Sequence, residues 1–107
     1  MNAYGIGGAQ FEALGDQARR AVLMKLRRGP MPVGALTAAL WSEIGISRPA
    51  VSQHLRVLKQ AGLVRDEAVG TRRYYRIDRD GLAKMREYLD GFWDEALQAF
   101  QARIEEE

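Results

Sequence analysis

The sequence contains no cysteine, and His54 is the only histidine among its 107 residues. Disulfides, thiolate metal sites and cysteine nucleophiles are therefore excluded, and the absence of cysteine fits a reducing compartment. A metal site needs several ligands at defined spacing, and one histidine among scattered carboxylates does not supply them. We expect neither a bound metal nor another cofactor.

Long apolar runs are also missing. No segment approaches the roughly 18 consecutive apolar residues of a membrane-spanning helix. The start, Met1 to Gly8, lacks the basic flank and the apolar stretch of a secretory signal. With 47% hydrophobic residues, a chain of this length fits one compact domain, residues 1–107. We expect a soluble cytoplasmic protein with no membrane partner.

The residue patterns of an enzyme are not present either. Catalysis would need a nucleophile beside a base, clustered carboxylates or a glycine loop that holds phosphate. The glycine-rich stretch Gly5–Gly8 follows no predicted strand and carries no Lys-Ser or Lys-Thr pair, so it does not fit a nucleotide-binding loop. We expect a protein without catalytic activity.

The formal net charge is only +2, but the charges are unevenly distributed along the chain. Residues 1–47 sum to +2, residues 48–79 to +5 and residues 80–107 to −5. A basic middle followed by an acidic end suggests one segment that binds a polyanion and another that stays away from it. A chance clustering of solvated charges is the alternative explanation.

Glycine and proline divide the first half of the chain into predicted helices. A short helical segment covers Phe11–Leu14, and Asp16 caps a second helix that ends at Gly29. A third helix begins near Pro32, and its apolar residues keep helical spacing until Gly45 ends it.

A fourth predicted helix, Arg48–Gln60, is capped by Ser47 and terminated by Gly62. At ~100° per residue, its apolar side chains gather on one side. The other side carries cations and short or amide side chains without a carboxylate: Arg48, Pro49, Ser52, Gln53, Arg56, Lys59 and Gln60. Arginine suits guanine edges and glutamine suits adenine edges in the major groove, so this face is typical of a DNA-reading helix.

Beyond Gly62 the hydrophobic period changes to two. The segments Leu63–Val69 and Arg72–Ile77 flank Gly70-Thr71, a two-residue connection with glycine first, as a type II′ hairpin requires. The arginines at its tip, Arg72 and Arg73, suit contacts with a sugar-phosphate backbone. The predicted fold is mainly α with a β-hairpin wing, in the order α-α-α-α-β-β-α.

Residues 79–105 predict one long helix with an apolar stripe. A domain this small cannot cover the stripe, so we expect it to pair with a second copy of the chain. The expected dimer interface consists of Phe11, Leu14, Leu82, Met85, Leu89, Phe92, Trp93, Ala96 and Phe100. The acidic outer face of the helix would be repelled by phosphate. A ligand cage formed by Phe92, Trp93 and Phe100 is the alternative role of the stripe.

Three segments together resemble the ArsR-type winged-helix repressors: Ile46–Val64 (ISRPAVSQHLRVLKQAGLV), Gly70–Ile77 (GTRRYYRI) and Phe11–Asp16 followed by Arg19-Arg20. The similarity covers roughly residues 10–100. It implies a homodimer, one winged helix-turn-helix per subunit, and repression through an imperfect palindrome in a promoter. By position, it implies that Ser47 to Lys59 form the recognition helix and Arg72-Arg73 the wing tip.

Two features depart from the usual pattern of that family. Many members sense metals through cysteines or through His and carboxylate sites, and neither set is present here. We therefore interpret His54 as partly buried or as a phosphate contact. The chain also has about four additional residues before the recognition helix, and the helical spacing of Ile44 predicts one extra turn, Trp41–Ile44.

We expect a homodimer that binds double-stranded DNA as a sequence-specific repressor, with an unidentified effector. The expected DNA contacts are Ser47, Arg48, Pro49, Ser52, Gln53, Arg56, Lys59, Thr71, Arg72 and Arg73. A solvated helix face, and arginines that protect an edge strand, Arg76 above all, are the structural alternatives. A winged-helix module that binds proteins instead of DNA is the alternative function.

Overall fold

The computed structural model describes residues 5–106 of the chain, with side chains from Gly8 onward. The first half of the start that we compared with secretory signals, Met1–Tyr4, and Glu107 of the acidic end lie outside the described residues. The elements are α1 (Gly5–Leu14), α2 (Gln17–Leu26), β1 (Met31–Pro32), α3 (Val33–Ile44), α4 (Arg48–Gln60), β2 (Val64–Val69), β3 (Arg72–Ile77) and α5 (Arg79–Glu106). No helix within this range is long and apolar enough to cross a membrane.

The predicted winged helix-turn-helix is confirmed, with one strand more than we expected. Strand β1 pairs antiparallel with β3, placing Met31 opposite Tyr75, so the sheet has the order β1-β3-β2 instead of being a two-stranded hairpin. Pro32 cannot donate a ladder hydrogen bond, which is tolerated here because β1 is an edge strand. The first helix also differs, since it begins at Gly5 and not at Phe11.

The predicted helix boundaries follow from side-chain caps and glycine. Asp16 Oδ1 accepts a hydrogen bond from the amide of Arg19 at 3.1 Å, and this bond lowers the pKa of the Asp16 carboxyl. Ser47 Oγ accepts from the amide of Ala50 at 3.4 Å. Helix α3 continues through the extra turn to Ile44 and ends at Gly45, as predicted.

Helix α4 ends in a Schellman motif. The amide of Leu63 donates to the carbonyl of Leu58 at 2.9 Å, and the amide of Gly62 donates to Lys59 at 3.0 Å. Gly62 has a φ of +78°, a left-handed conformation that favours glycine. The motif turns the chain directly from α4 into β2, so the wing is attached to the end of α4.

The hairpin has the predicted turn. Gly70 has a φ of +64°, and Thr71 does not have a positive φ, which agrees with type II′ and excludes type I′. Val69 pairs with Arg72 at the tip and Val64 with Ile77 at the base. The inner face of the wing therefore packs Val64, Tyr75 and Ile77 against the helices, and the tip extends from them.

The core lies between α2, α3, α4 and the base of the wing. Its buried apolar residues are Ala13, Val22, Leu26, Leu36, Leu40, Val51, Leu55, Leu58, Ala61, Leu63, Val64 and Met85. Helix α5 enters this core through its first two turns, which contain the buried residues Gly81 and Met85. The Asp78 carboxylate accepts from the amides of Asp80 and Gly81, which fixes the start of the helix.

Gly81 in α5 lies directly against the backbone of Gly62. A Cβ at Gly81 would overlap the carbonyl oxygen of Gly62 and lie 2.9 Å from its carbonyl carbon. The first turn of α5 therefore packs on the turn that follows α4, with no side chain between the two backbones.

The rest of α5 extends away from the core. Its 28 residues span about 42 Å at 1.5 Å per residue. The radius of gyration is 17.5 Å, compared with about 13 Å for a compact chain of this length. The accessible surface is 7788 Å², compared with about 6,000 Å² for a compact monomer of 12.0 kDa. A single copy thus leaves a large area of α5 uncovered.

Candidate nucleic-acid interface

Helix α4 has two clearly different sides. Val51, Leu55 and Leu58 are fully buried against the core. All the predicted contacts on the opposite side are exposed: Ser47, Arg48, Pro49, Ser52, Gln53, Arg56 and Lys59. The side chains predicted to read bases are therefore on the solvent face of a helix whose position is fixed by its buried face.

A cleft of about 610 Å³ lies beside the start of α4 and brings it together with the wing tip. Arg48 lines the cleft on one side, and Thr71, Arg72 and Arg73 line it on another. The first turn of α3, with Gly34 among its small residues, forms the remaining wall. The predicted wing contacts and Arg48 thus share one basic depression, although they are at least 23 positions apart in sequence.

One acidic residue, which the sequence analysis did not identify, is positioned between two of the predicted DNA contacts. Asp66 on β2 accepts from Lys59 Nζ at 2.7 Å and from Arg73 Nη1 at 2.8 Å, and its side chain is only 9% exposed. The hydrogen bond from Lys59, and then that from Arg73, hold the pKa of the Asp66 carboxyl below its ordinary value of 3.8. This carboxylate joins the end of the recognition helix to the wing. From here on we call Asp66, Lys59 and Arg73 the wing triad.

The other predicted cations behave differently. Arg48, Arg56 and Arg72 are exposed, and none of them forms an ion pair with a described side chain. Their full charge is directed to solvent, whereas the charges of Lys59 and Arg73 are partly compensated by Asp66. The basic surface therefore has three uncompensated cations and two paired ones.

His54 is half-buried on α4, in agreement with the interpretation from its helical angle. Its Nδ1 is buried and has no hydrogen-bond partner among the described residues. Between Gly8 and Glu106, no three side chains of the His, Cys, Asp or Glu type are grouped so that they could hold a metal ion. The arrangement gives His54 no co-ligands.

The apolar stripe of α5 is largely exposed in the single chain. Phe92 is 55% exposed, Trp93 58% and Phe100 64%. Leu82, Leu89 and Ala96 are exposed on the same helix. Leu97 and Ile104 belong to the same exposed stripe, and the predicted interface omitted them.

Three residues of the predicted dimer interface have contacts within their own chain. Met85 is only 5% exposed and belongs to the core, because it lies in the part of α5 that packs on the domain. Leu14 is half-buried against that core. Phe11 is partly exposed, and its ring packs against Tyr88 with centroids 5.6 Å apart, which joins α1 to α5. Met85 is therefore a core residue, and the exposed stripe is the surface available to a second copy.

Comparison with known proteins identifies relatives of this chain. Residues 16–66 match the profile described as bacterial regulatory protein, arsR family. The chain is 45% identical over 107 residues, all of this chain and 96% of the relative, to the HTH-type transcriptional regulator Rv2034 of Mycobacterium tuberculosis. It is 35% identical over 68 residues, 64% of this chain and 71% of the relative, to the transcriptional repressor SdpR of Bacillus subtilis.

A solved structure has the same fold. It is the homodimeric winged helix-turn-helix DNA-binding domain Mb0332 of Mycobacterium bovis, described as a possible ArsR-family transcriptional regulator. The match has a TM-score of 0.65 and 30% identity, and it covers 84% of this chain and 80% of that one. Proteins of this class regulate transcription and are not enzymes. With its winged helix-turn-helix, the basic exposed face of α4 and these relatives, the chain belongs to the ArsR family of bacterial DNA-binding transcriptional regulators.

Proposed function

We propose that this regulator is a homodimeric repressor that binds an imperfect palindrome in a promoter. One observation carries the proposal: the exposed face of α4 combines guanidinium, amide and hydroxyl groups without a carboxylate, and it adjoins the basic cleft at the wing tip. Major-groove edges are read by such groups, and phosphates are held by such cations.

Direct base reading is assigned to the middle of α4. Gln53 and Arg56 are exposed there, three positions apart and therefore neighbours on the helix surface. Gln53 has the geometry for adenine N6 and N7, and Arg56 for guanine O6 and N7. The hydroxyl group of Ser52, which is exposed beside them, can donate a hydrogen bond to a base or to a phosphate.

Contacts with the sugar-phosphate backbone of DNA are assigned to the cleft and the wing. Thr71, Arg72 and Arg73 lie at the tip of the hairpin, and Arg48 lines the same cleft. Ser47, Pro49 and Lys59 border the reading face on α4. Cations in these positions neutralise phosphates and position the helix without reading sequence.

Dimerisation is assigned to the exposed stripe of α5. The surface of the chain exceeds that of a compact monomer by an amount comparable to what a stable dimer buries. Two copies related by a two-fold axis would cover this stripe and present two reading helices to a palindrome. Such a dimer would act in the cytoplasm, where bacterial promoters are.

Repression and the absence of metal sensing are part of the same proposal. The similarity to a relative named as a transcriptional repressor supports the direction of regulation. A sequence without cysteine and with a single histidine lacks the ligands of a thiolate or imidazole sensor. The signal is therefore sought among molecules other than metal ions.

The test measures binding to the DNA upstream of the protein's own gene and to a scrambled duplex, by fluorescence anisotropy at several salt concentrations. Gln53→Ala and Arg56→Ala should each cost about 1–3 kcal/mol on the specific site and little on the scrambled one. Arg72→Ala should weaken both duplexes and lower the salt slope by about one unit. Gln98→Ala and Lys84→Ala, at exposed positions on the side of α5 opposite the apolar stripe, are the matched controls.

Equal losses on both duplexes for all three variants would contradict the assigned roles. A protein carrying Arg56→Glu and Arg72→Glu should not bind DNA at all. If that protein keeps the affinity of the wild type, the winged helix is an interaction module for proteins and the proposal is wrong.

A further inference from the structure

A groove of about 550 Å³ lies at the base of the wing, at the opposite end of β3 from the tip. Four apolar residues line it, Leu26, Pro30, Ile77 and Leu82, and we call them the floor of the groove. These four residues come from the end of α2, the segment before β1, the end of β3 and the first turn of α5. The volume is in the range of small-molecule binding sites, and such sites have predominantly apolar walls.

The rim of the groove consists of four arginines: Arg27, Arg28, Arg76 and Arg79. None of them forms an ion pair with any side chain between Gly8 and Glu106. The only recorded hydrogen bond from these side chains is from Arg27 Nη1 to the carbonyl of Met24 at 2.8 Å. Each guanidinium has five N–H donors, so the rim keeps a large unused capacity for an anion.

The sheet adds a further cation to this region. Arg65 on β2 is directly opposite Arg76 on β3, and both are exposed. Like charges in directly opposed positions destabilise a sheet, and a bound anion would offset that repulsion. The carboxylates of Asp78 and Asp80 line the same region as these arginines, but neither forms an ion pair with any of them in the described part of the chain.

We propose that this groove binds an amphipathic organic anion, whose apolar body lies on the floor and whose carboxylate or phosphate head contacts the arginine rim. A fully hydrated ion would make no favourable contact with the apolar floor, and the arginines would repel an amphipathic cation. Both parts of the groove are therefore matched by one chemical class of ligand.

The groove is separate from the reading surface but adjoins the dimer helix. Arg76 is about 13 Å along β3 from Arg72 at 3.3 Å per residue, so a ligand here does not occupy the phosphate-binding cleft. Leu82 is 36% exposed and belongs both to the groove floor and to the α5 stripe. A ligand would therefore contact the first turn of α5, and its effect on operator binding rests on the function proposed above.

The binding test uses the full chain and isothermal titration calorimetry without DNA. Dodecanoate, below its micelle concentration, is the probe, and dodecyltrimethylammonium has the same apolar chain with the opposite charge. We expect saturable binding of dodecanoate with one site per chain and at least about tenfold weaker binding of the cationic probe. Equal binding of the two probes would show that only exposed apolar surface is involved, and would overturn the proposal.

Two double variants decide where the anion binds. Arg27→Gln with Arg76→Gln should weaken dodecanoate binding at least about tenfold, because it removes two rim charges and leaves the floor intact. Arg20→Gln with Lys84→Gln changes the net charge equally at exposed residues that line neither the groove nor the α5 stripe, and it should leave binding within about twofold. Equal effects of the two pairs would exclude the groove. Thermal melting of each variant verifies that it is folded.

The effect on regulation is measured separately. Dodecanoate should change operator affinity in the wild type and not in the Arg27→Gln, Arg76→Gln protein. If duplex DNA displaces dodecanoate from the protein carrying Arg56→Glu and Arg72→Glu, whose α4 face and wing should no longer bind DNA, the arginine rim is a further phosphate-binding surface and the proposal is wrong. Because the calorimetric test contains no DNA, failure of ligand binding and failure of the proposed repressor function are distinguished.

Discussion

Lys59, in the last turn of α4, lies 2.7 Å from Asp66 on the first strand of the wing. The same carboxylate accepts from Arg73 at 2.8 Å through its other oxygen. Two cations assigned to DNA binding therefore share one anion while the protein is free. The wing triad fixes the wing relative to the recognition helix, and it also reduces the charge that these cations present to phosphate.

Asp66→Asn should release both cations. Binding to a scrambled duplex should become tighter, and the salt slope should steepen by one to two units, because Lys59 and Arg73 become fully available to phosphates. Discrimination between specific and scrambled DNA should fall, since the wing is no longer held to α4. Anisotropy titrations at several salt concentrations measure all three quantities.

Asp90→Asn is the matched control for this variant. Asp90 pairs only with Arg86 on an exposed face of α5, so the same loss of one negative charge occurs away from the reading surface. Its salt slope should stay within about half a unit of the wild type. If Asp66→Asn instead weakens binding to both duplexes with an unchanged slope, the triad acts only as a structural brace.

The pH dependence of stability should also report on Asp66. Its pKa is lowered on folding, so the unfolded chain binds more protons as the pH falls through the ordinary value of 3.8. The stabilisation from this carboxylate is present in full above that pH and is lost as the pH falls through the folded pKa. Urea unfolding between about pH 6 and pH 3 should therefore be less pH-dependent in Asp66→Asn than in the wild type. Identical pH profiles would contradict the contribution of the triad.

The contact between Gly81 and Gly62 predicts opposite effects for two similar substitutions in α5. Gly81→Ala should destabilise the fold by about 2 kcal/mol or more, because the new Cβ overlaps the Gly62 carbonyl and backbone must move. A Cβ at Gly91 would have no neighbour within 4 Å, so Gly91→Ala should stabilise the fold by about 0.5–1 kcal/mol through helix propensity. Urea unfolding curves measure both changes. A stabilising Gly81→Ala would show that α5 is not seated on this turn.

Dimerisation should depend on the middle of the α5 stripe. Phe92→Asp with Trp93→Asp should give monomers, because two charges would then lie in an interface that excludes water. Gln98→Asp with Ala102→Asp adds the same charge on the other side of the helix and should leave the dimer intact. Sedimentation velocity measures the oligomeric state. The monomers should also have a much lower affinity for the palindromic DNA site than the wild-type dimer. A dimer that persists with both stripe residues changed would place the interface elsewhere.

Much of the fold follows from local sequence signals. Asp16, Ser47 and Gly45 mark helix ends through caps and left-handed backbone, and these are properties of a few neighbouring residues. Strand β1 was missed because two residues, one of them proline, show no period. It exists because the chain passes beside β3, which is a tertiary relationship.

The exposed residues of the candidate site can be predicted from the sequence, but the ion pairs between its helices and strands cannot. Helical angle alone identifies the exposed face of α4, so the exposure of Gln53 and Arg56 is predicted from sequence and confirmed, while their role in binding DNA stays a prediction. The wing triad joins residues of α4, β2 and β3, and its only local signal is a single carboxylate in a basic segment. Met85 shows the same limit, since periodicity groups it with Leu89 but does not tell which neighbour covers each of them.

The seating of Gly81 on Gly62 also has a mechanical meaning. Side chains that separate two helices adjust their rotamers and absorb small displacements, whereas two touching backbones have no such compliance. Gly62 lies two residues beyond the last residue of α4, and Gly81 lies in the first turn of α5. A tilt of α5 would therefore displace the end of α4 directly, because the two backbones touch at Gly81 and Gly62. If two copies pair along α5, as proposed, small changes in that packing would change the angle and the spacing between their two α4 helices.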